Sequence, residues 1–339
     1  MLAHNNKGCA RNNGVIVYIL ALVVFLQLQH LTRRHVCGKA RERHVSKATT
    51  IHVDEQNGQA FAVALPHDAL ELWPNVTTHT SSVLLDNAKH VLEQERLGRA
   101  RKVIAMSLYG NNTRYVQGAL DNAILAARDW PGWTLRLYHG DGVPAHVLRV
   151  AHELGAETIR VNTTHQTPRS CMYWRFFALE DRTTTRVIIR DVDARLTQRD
   201  HAAVDDWVKS GRLFHTLHDH IQHTTPVLGG MWGAVSGFLN PRLLQAWRES
   251  NDEKAAVWVN DQHWLAGVIW PLVKNQTLDH ASHHCHAYGA TEWRPFPRQR
   301  VDDRDFVGNV HVAENAWQGD RGPAECPERC RKQSDWVAC

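Results

Sequence analysis

Two aspartates one residue apart close the most strand-like stretch of this chain. Residues 186–190 read Arg-Val-Ile-Ile-Arg, and Asp191, Val192, Asp193 and Ala194 follow directly. Strand alternation points Asp191 and Asp193 to one side, and carboxylates so placed cannot both stay ionised comfortably without a cation near them. A hard divalent ion, Mn2+ or Mg2+, takes oxygen ligands of this kind, and a diphosphate would complete its shell. The plainer alternative is a capping aspartate beside a solvated one in a loop.

That chemistry needs the pair held at the carboxyl end of a strand, and the surrounding chain supplies a frame. Runs at residues 102–110, 133–140, 157–161, 186–190 and 212–217 read as strands. Between them, residues 115–130, 144–154, 172–180 and 201–210 read as helices; in the first, Val116, Leu120, Ile124 and Ala127 recur at helical spacing. This alternation predicts an α/β domain with a mainly parallel, Rossmann-like sheet flanked by helices. Ligands of such sheets sit at the strands' carboxyl ends.

Residues 187–196 (VIIRDVDARL) resemble the metal-binding D-x-D strand of nucleotide-sugar-dependent glycosyltransferases with the GT-A fold. Four more segments are similar, in order, to one group of these enzymes. Residues 106–139 have a Tyr-Gly-Asn-rich start leading into a helix and Pro-Gly-Trp, and residues 215–233 carry H-x-x-x-D-H and LGGMWG. Residues 260–271 look like that group's D-Q helix, and residues 296–308 like its closing F-P-x-x-R and F-V-G. The resemblance spans about residues 102–315. It departs at Ala194, where the relatives carry serine, and at His218, where they carry arginine before Asp219. It implies a GT-A-like catalytic domain, a nucleotide-diphosphate sugar as donor, and a metal bound directly by Asp193. Asp191 would then hold the ribose or a metal-bound water. A histidine near the C-terminus would complete the shell, with His280 as the candidate among His283, His284 and His286.

Other residues suit that reading by their chemistry. Arg175, one helix before the D-x-D strand, could fork onto the donor diphosphate, and Arg190 and Arg195 flank the carboxylates. An inverting transferase needs a carboxylate base, which Asp219 or Asp261 could supply. Gly229 and Gly230 let backbone approach a ligand closely, and Trp232 offers an aromatic platform for a sugar face. Each has a structural alternative: a surface arginine, a capping aspartate, a core tryptophan in a tight turn, a polar histidine-rich loop. Two other functions fit the same residues. One is a metal-dependent hydrolase built from Asp191, Asp193, His218, Asp219, His220 and His223, although H-E-x-x-H is absent. The other is an inactive sugar-binding protein of the same fold.

Composition narrows the class further. Of 339 residues, 43% are hydrophobic and 22% charged, which excludes disorder along the whole length. Lys and Arg exceed Asp and Glu by only four, too few for a nucleic-acid partner. The long uncharged apolar run at residues 14–31 reads as a transmembrane signal anchor after a cytosolic tail of residues 1–13. Residues 32–100 read as a stem, 101–317 as the catalytic domain and 318–339 as a cysteine-containing tail. The basic flank of Arg33, Arg34, Lys39, Arg41, Arg43 and Lys47 argues for a cytosolic domain. Sequons at Asn75, Asn111, Asn162 and Asn275 and the cysteines at 326, 330 and 339 argue for a lumenal one. The expectation is a single-pass type II protein of the Golgi or endoplasmic reticulum membrane, acting on a glycan, protein or lipid acceptor. Cys9 would stay in the cytosol, leaving six cysteines that permit up to three disulfides.

Overall fold

Residues 103–108 are an unbroken buried run, the mark of a strand covered on both faces. They form most of β1 (Lys102–Leu108), which pairs in parallel with β2 (Trp133–His139) and β4 (Arg186–Arg190). The computed structural model describes residues 81–162, 170–239, 260–302, 304–311 and 325–339. The expected tail and anchor, and the stem up to residue 80, lie outside these. Among the described residues no helix is long and apolar enough to cross a membrane.

The first half follows the sequence reading closely. After α1 (Ser81–Arg96), β1 leads into α2 (Thr113–Asp129), β2 into α3 (Ala145–Glu153), and β3 (Glu157–Arg160) completes that edge. A 3-10 segment, Ser170–Glu180, precedes β4, and α4 (Gln198–Ser210) precedes β5 (Phe214–His218). Local chemistry sets the helix starts. The Asn112 side chain accepts from the Arg114 N–H, and Thr197 accepts from Asp200, each occupying a donor the helix cannot satisfy itself.

The second half differs. Trp232, expected as an aromatic platform after the Gly229–Gly230 approach, lies in β6 (Met231–Val235), which runs antiparallel between β4 and β5. Residues 277–281, which include the expected metal ligand His280, form the fully buried β7 (Thr277–Ala281), parallel to β5 and followed by β8 (Glu292–Arg294). The helix before β7, α5 (Asn260–Trp264), continues through a π-turn, Leu265–Ile269, that ends just before Trp270 and Pro271. The sheet therefore has eight strands in the order β3-β2-β1-β4-β6-β5-β7-β8 and is parallel except at β6. The carboxyl ends of β1, β4, β5 and β7 share one edge.

The tail does not stand apart from the domain. Cys285 bonds Cys330 and Cys326 bonds Cys339, while Cys171 is buried outside either bridge. Two of the three permitted disulfides are thus formed among the described residues.

Residue 118 shows how tightly α2 seats against the turn after β4. A Cβ there would overlap the main-chain oxygen of Val192, so only glycine fits. Gly118→Ala should cost about 1–3 kcal/mol through overpacking. Urea unfolding would show the loss as a lower midpoint with an unchanged slope.

Candidate active site

The carboxylate pair leaves β4 in a turn that one buried amide holds in shape. Asn122 of α2 is fully buried. Its Nδ2 donates to the carbonyls of Val192 (3.1 Å) and Ala194 (2.8 Å), and its Oδ1 accepts from the Leu196 N–H (3.0 Å). Neighbouring Asp121 accepts from the Arg195 side chain at 2.9 Å. Arg195 is thus an ion-pair partner that braces the turn.

Arg175 reaches this turn from the 3-10 segment. Its guanidinium pairs with Asp191 through one nitrogen and lies 3.4 Å from Asp261 Oδ2 through another. Burial works against the charge, but Asp191 and Asp261 outweigh it and hold Arg175 firmly protonated. Its own backbone is pinned to β1, because the Arg175 N–H donates to Ser107 Oγ at 3.0 Å. The Nε of Arg175 has no partner among the described residues, which leaves a donor in the site.

Gly229 and Gly230 press against the same carboxylates. A Cβ at Gly229 would lie 2.5 Å from Asp261 Oδ2, and one at Gly230 would overlap Asp191. Arg175, Asp191, Gly229, Gly230 and Asp261 therefore converge, with Asp193 one turn position away. Arg114, at the start of α2, pairs with Asp193. Burial and then the charge of Asp191 raise the Asp193 carboxyl above its ordinary value, against the pull of Arg114. Burial likewise raises Asp261, with Asp191 adding to it and Arg175 opposing. Asp191 is the open member: 46% of its side chain is exposed, against 11% for Asp193.

This donor set suits a divalent ion that takes part of its shell from the protein and part from phosphate oxygens. A cation bound there would offset both the burial and the Asp191 charge that raise the Asp193 carboxyl. Among the described residues, no three His, Cys, Asp or Glu side chains converge as a complete metal cage.

Several expected roles are corrected by position. His280 lies in β7, fully buried; its Nδ1 bonds the His215 ring at 2.8 Å and its Nε2 bonds Asp206 at 3.1 Å. Both nitrogens are taken, so it is no metal ligand. The histidine set beside the carboxylates is His311, whose backbone N–H donates to the Asp193 carbonyl at 2.9 Å, next to the Ala194–Val310 bridge. The signal for it was the end of the F-V-G segment, read only as a closing motif. Trp232 is a core residue of β6 packed on Phe176 and Phe214, not a platform. Arg190 forms a buried two-bond pair with Asp200 at 2.8 and 2.7 Å and turns away from ligand binding.

Asp219 cannot serve as a base. It is fully buried and accepts two bonds from Arg199, at 2.7 Å each, with others from Arg300, Ser282 and the Val307 N–H. Burial would raise its carboxyl, yet the two guanidiniums drive it far below the ordinary range. Two cations at its centre also remove the hydrolase arrangement of His218, Asp219, His220 and His223. His218 faces two acceptors, Asp279 Oδ1 at 2.6 Å and the Thr225 carbonyl at 2.8 Å, and so needs protons on both nitrogens. Burial works against the charge, but Asp279 outweighs it and raises the His218 pKa above its ordinary value, so this histidine is a buried cation.

No family model matches the chain, and no curated protein matches it. Solved structures similar to it are glycosyltransferases. The transferase GlyE of Streptococcus pneumoniae TIGR4 is 13% identical over 53% of this chain and 45% of that chain, with a TM-score of 0.35. The galactosyltransferase LgtC, in complex with donor and acceptor sugar analogs, is 13% identical over 53% of this chain and 73% of that one, with a TM-score of 0.37. The mannosyltransferase PcManGT of Pyrobaculum calidifontis, in complex with GDP-Man and Mn2+, is 14% identical over 46% and 56%, with a TM-score of 0.31.

The buried histidines set a pH dependence of stability. Burial holds His215, His223, His283 and His284 below the ordinary 6.5, His283 at about 4. As pH falls below 6.5 the unfolded chain takes up these protons and the native protein does not, so stability present above 6.5 is lost. His218 works in the opposite sense but is a single group. Thermal unfolding followed from pH 7.5 to 5 should therefore show a falling midpoint. A flat or rising profile would contradict the assignment of neutral buried imidazoles.

Proposed function

We propose that this chain is a glycosyltransferase that moves a sugar from a nucleotide-diphosphate donor to an acceptor hydroxyl. The observation that carries this reading is the meeting of Arg175, Asp191 and Asp261 under the Gly229–Gly230 backbone, at the carboxyl end of β4 and beside Asp193. Asp191 and Asp193 would hold Mn2+ or Mg2+, which when bound neutralises charge on the departing diphosphate. Arg175 would meet the same phosphates with its guanidinium, whose Nε has no partner among the described residues. The acceptor oxygen bonds to the anomeric carbon while the carbon–oxygen bond to the diphosphate breaks, its electron pair leaving with the diphosphate. Asp261, its carboxyl raised by burial, takes the hydroxyl proton. The close glycine backbone leaves no side chain between these carboxylates and the sugar. The two disulfides support placing the domain in an oxidising lumen, anchored through residues 14–31.

Release of free nucleoside diphosphate from a panel of nucleotide sugars, with Mn2+ and with EDTA, is the direct test. The expected result is metal-dependent release from at least one donor. Asp193→Ala should abolish it with the unfolding midpoint unchanged, and near-normal turnover in that variant would rule out the metal assignment. Asp261→Asn should lower kcat by roughly a hundredfold or more, the scale of a lost general base. Asp219→Asn should instead destabilise the fold, because it leaves Arg199 and Arg300 without their carboxylate.

A further inference from the structure

Three guanidiniums, those of Arg175, Arg195 and Arg114, meet the turn that carries Asp191 and Asp193, and they are held to different degrees. Arg175 is tied to two carboxylates, and its side chain is 6% exposed. Arg195, 12% exposed, pairs with Asp121 at 2.8 Å and donates to the Asp193 main-chain carbonyl at 3.2 Å. Arg114 is 34% exposed, and the carboxylate it meets is that of Asp193.

Local structure explains how Arg114 comes to be there. It is the second residue of α2, and its N–H donates to the capping side chain of Asn112 at 3.0 Å, which fixes its backbone. Beyond the backbone, its guanidinium lies 5.5 Å from the centroid of the Tyr115 ring. Its Nε has no partner among the described residues. A side chain anchored by its helix at one end and by one carboxylate at the other can withdraw without opening the core. Arg175 cannot, because leaving would strand two carboxylates and a buried charge.

The Asp193 side chain is only 11% exposed, so water does little to screen what meets it. Any divalent ion bound by Asp193 shares that carboxylate with the Arg114 guanidinium, and two cations on one carboxylate repel each other. We propose that Arg114 is a displaceable counter-ion: it serves Asp193 as the chain's own cation, and a divalent metal binds as the guanidinium withdraws. Arg114 thus sets the metal affinity of the site without being a ligand. That Asp193 takes a metal rests on the transferase reading; the competition with Arg114 is a separate claim.

The probe is Mn2+ alone, titrated into the full chain without nucleotide, with the free ion followed by its EPR signal. Arg114→Gln removes the charge and keeps a side chain that suits a helix, while Arg114→Lys keeps the charge. Affinity for Mn2+ should be about fivefold tighter in Arg114→Gln, the scale of one partly exposed ion pair, and nearly unchanged in Arg114→Lys. Asp193→Ala should abolish the binding, which assigns the site being measured. An affinity unchanged or weaker in Arg114→Gln would overturn the proposal. So would equal tightening in Arg114→Lys, since bulk rather than charge would then be at work. Should Arg114→Gln fail to fold, phenylglyoxal labelling of the unsubstituted protein decides. Mn2+ should raise modification of Arg114, mapped by peptide mass, and an unchanged or lower yield overturns the displacement. Equal Mn2+ binding with and without the Arg114 charge removes this inference and leaves the transferase reading standing, whereas no Mn2+ binding in any of these proteins removes the metal assignment as well.

Discussion

The buried guanidinium of Arg175 is the constraint on which the site depends. A cation taken from water costs several kcal/mol unless carboxylates meet it, and here two do, from separate elements of the fold. Asp191 comes from the turn after β4 and Asp261 from α5, while Ser107 of β1 fixes the backbone that carries the arginine. The charge can be buried only if these three elements arrive together. The same requirement gathers the carboxylates that a donor diphosphate and its metal would need, so folding and site assembly are one event.

Two zones of the shared edge resolve their electrostatics differently. Around Arg175 the carboxylates outnumber the guanidinium, which leaves Asp193 and Asp261 with raised carboxyls and an appetite for a further cation. Around Asp219 the guanidiniums outnumber the carboxylate, and nearby imidazoles stay neutral. Opposite local excesses side by side suit a reaction whose two substrates need to be told apart.

Much of the first half was legible because each element announced itself locally. The run 186–190 and the turn beyond it sit where alternation put them, and the start of α2 is marked by a capping asparagine. The pairs that decide the second half join distant residues. Asp219 meets Arg199 and Arg300 across separations of 20 and 81 residues, which no local pattern displays. β6 and β7 were missed for a related reason. A strand holding Gly233 or His280 lacks the usual β-branched signature, and its identity comes from neighbours that bury it on both sides. His280 misled because a histidine near the C-terminus suggested a metal ligand, whereas His215 and Asp206 take both of its ring nitrogens within the core.

The last fifteen residues have little apolar surface of their own; the side chains they bury are the three cysteines. Sulfur bridges to Cys285 and within the segment take the place of a hydrophobic core. Yet this segment delivers the Cys339 carbonyl to Arg199, and Arg199 holds Asp219. Two bridges thus hold in place the carbonyl that helps close the buried Arg199–Asp219 pair. A reductant would loosen that pair without touching a single residue of the carboxylate site, leaving the two halves of the edge with different chemical lifetimes.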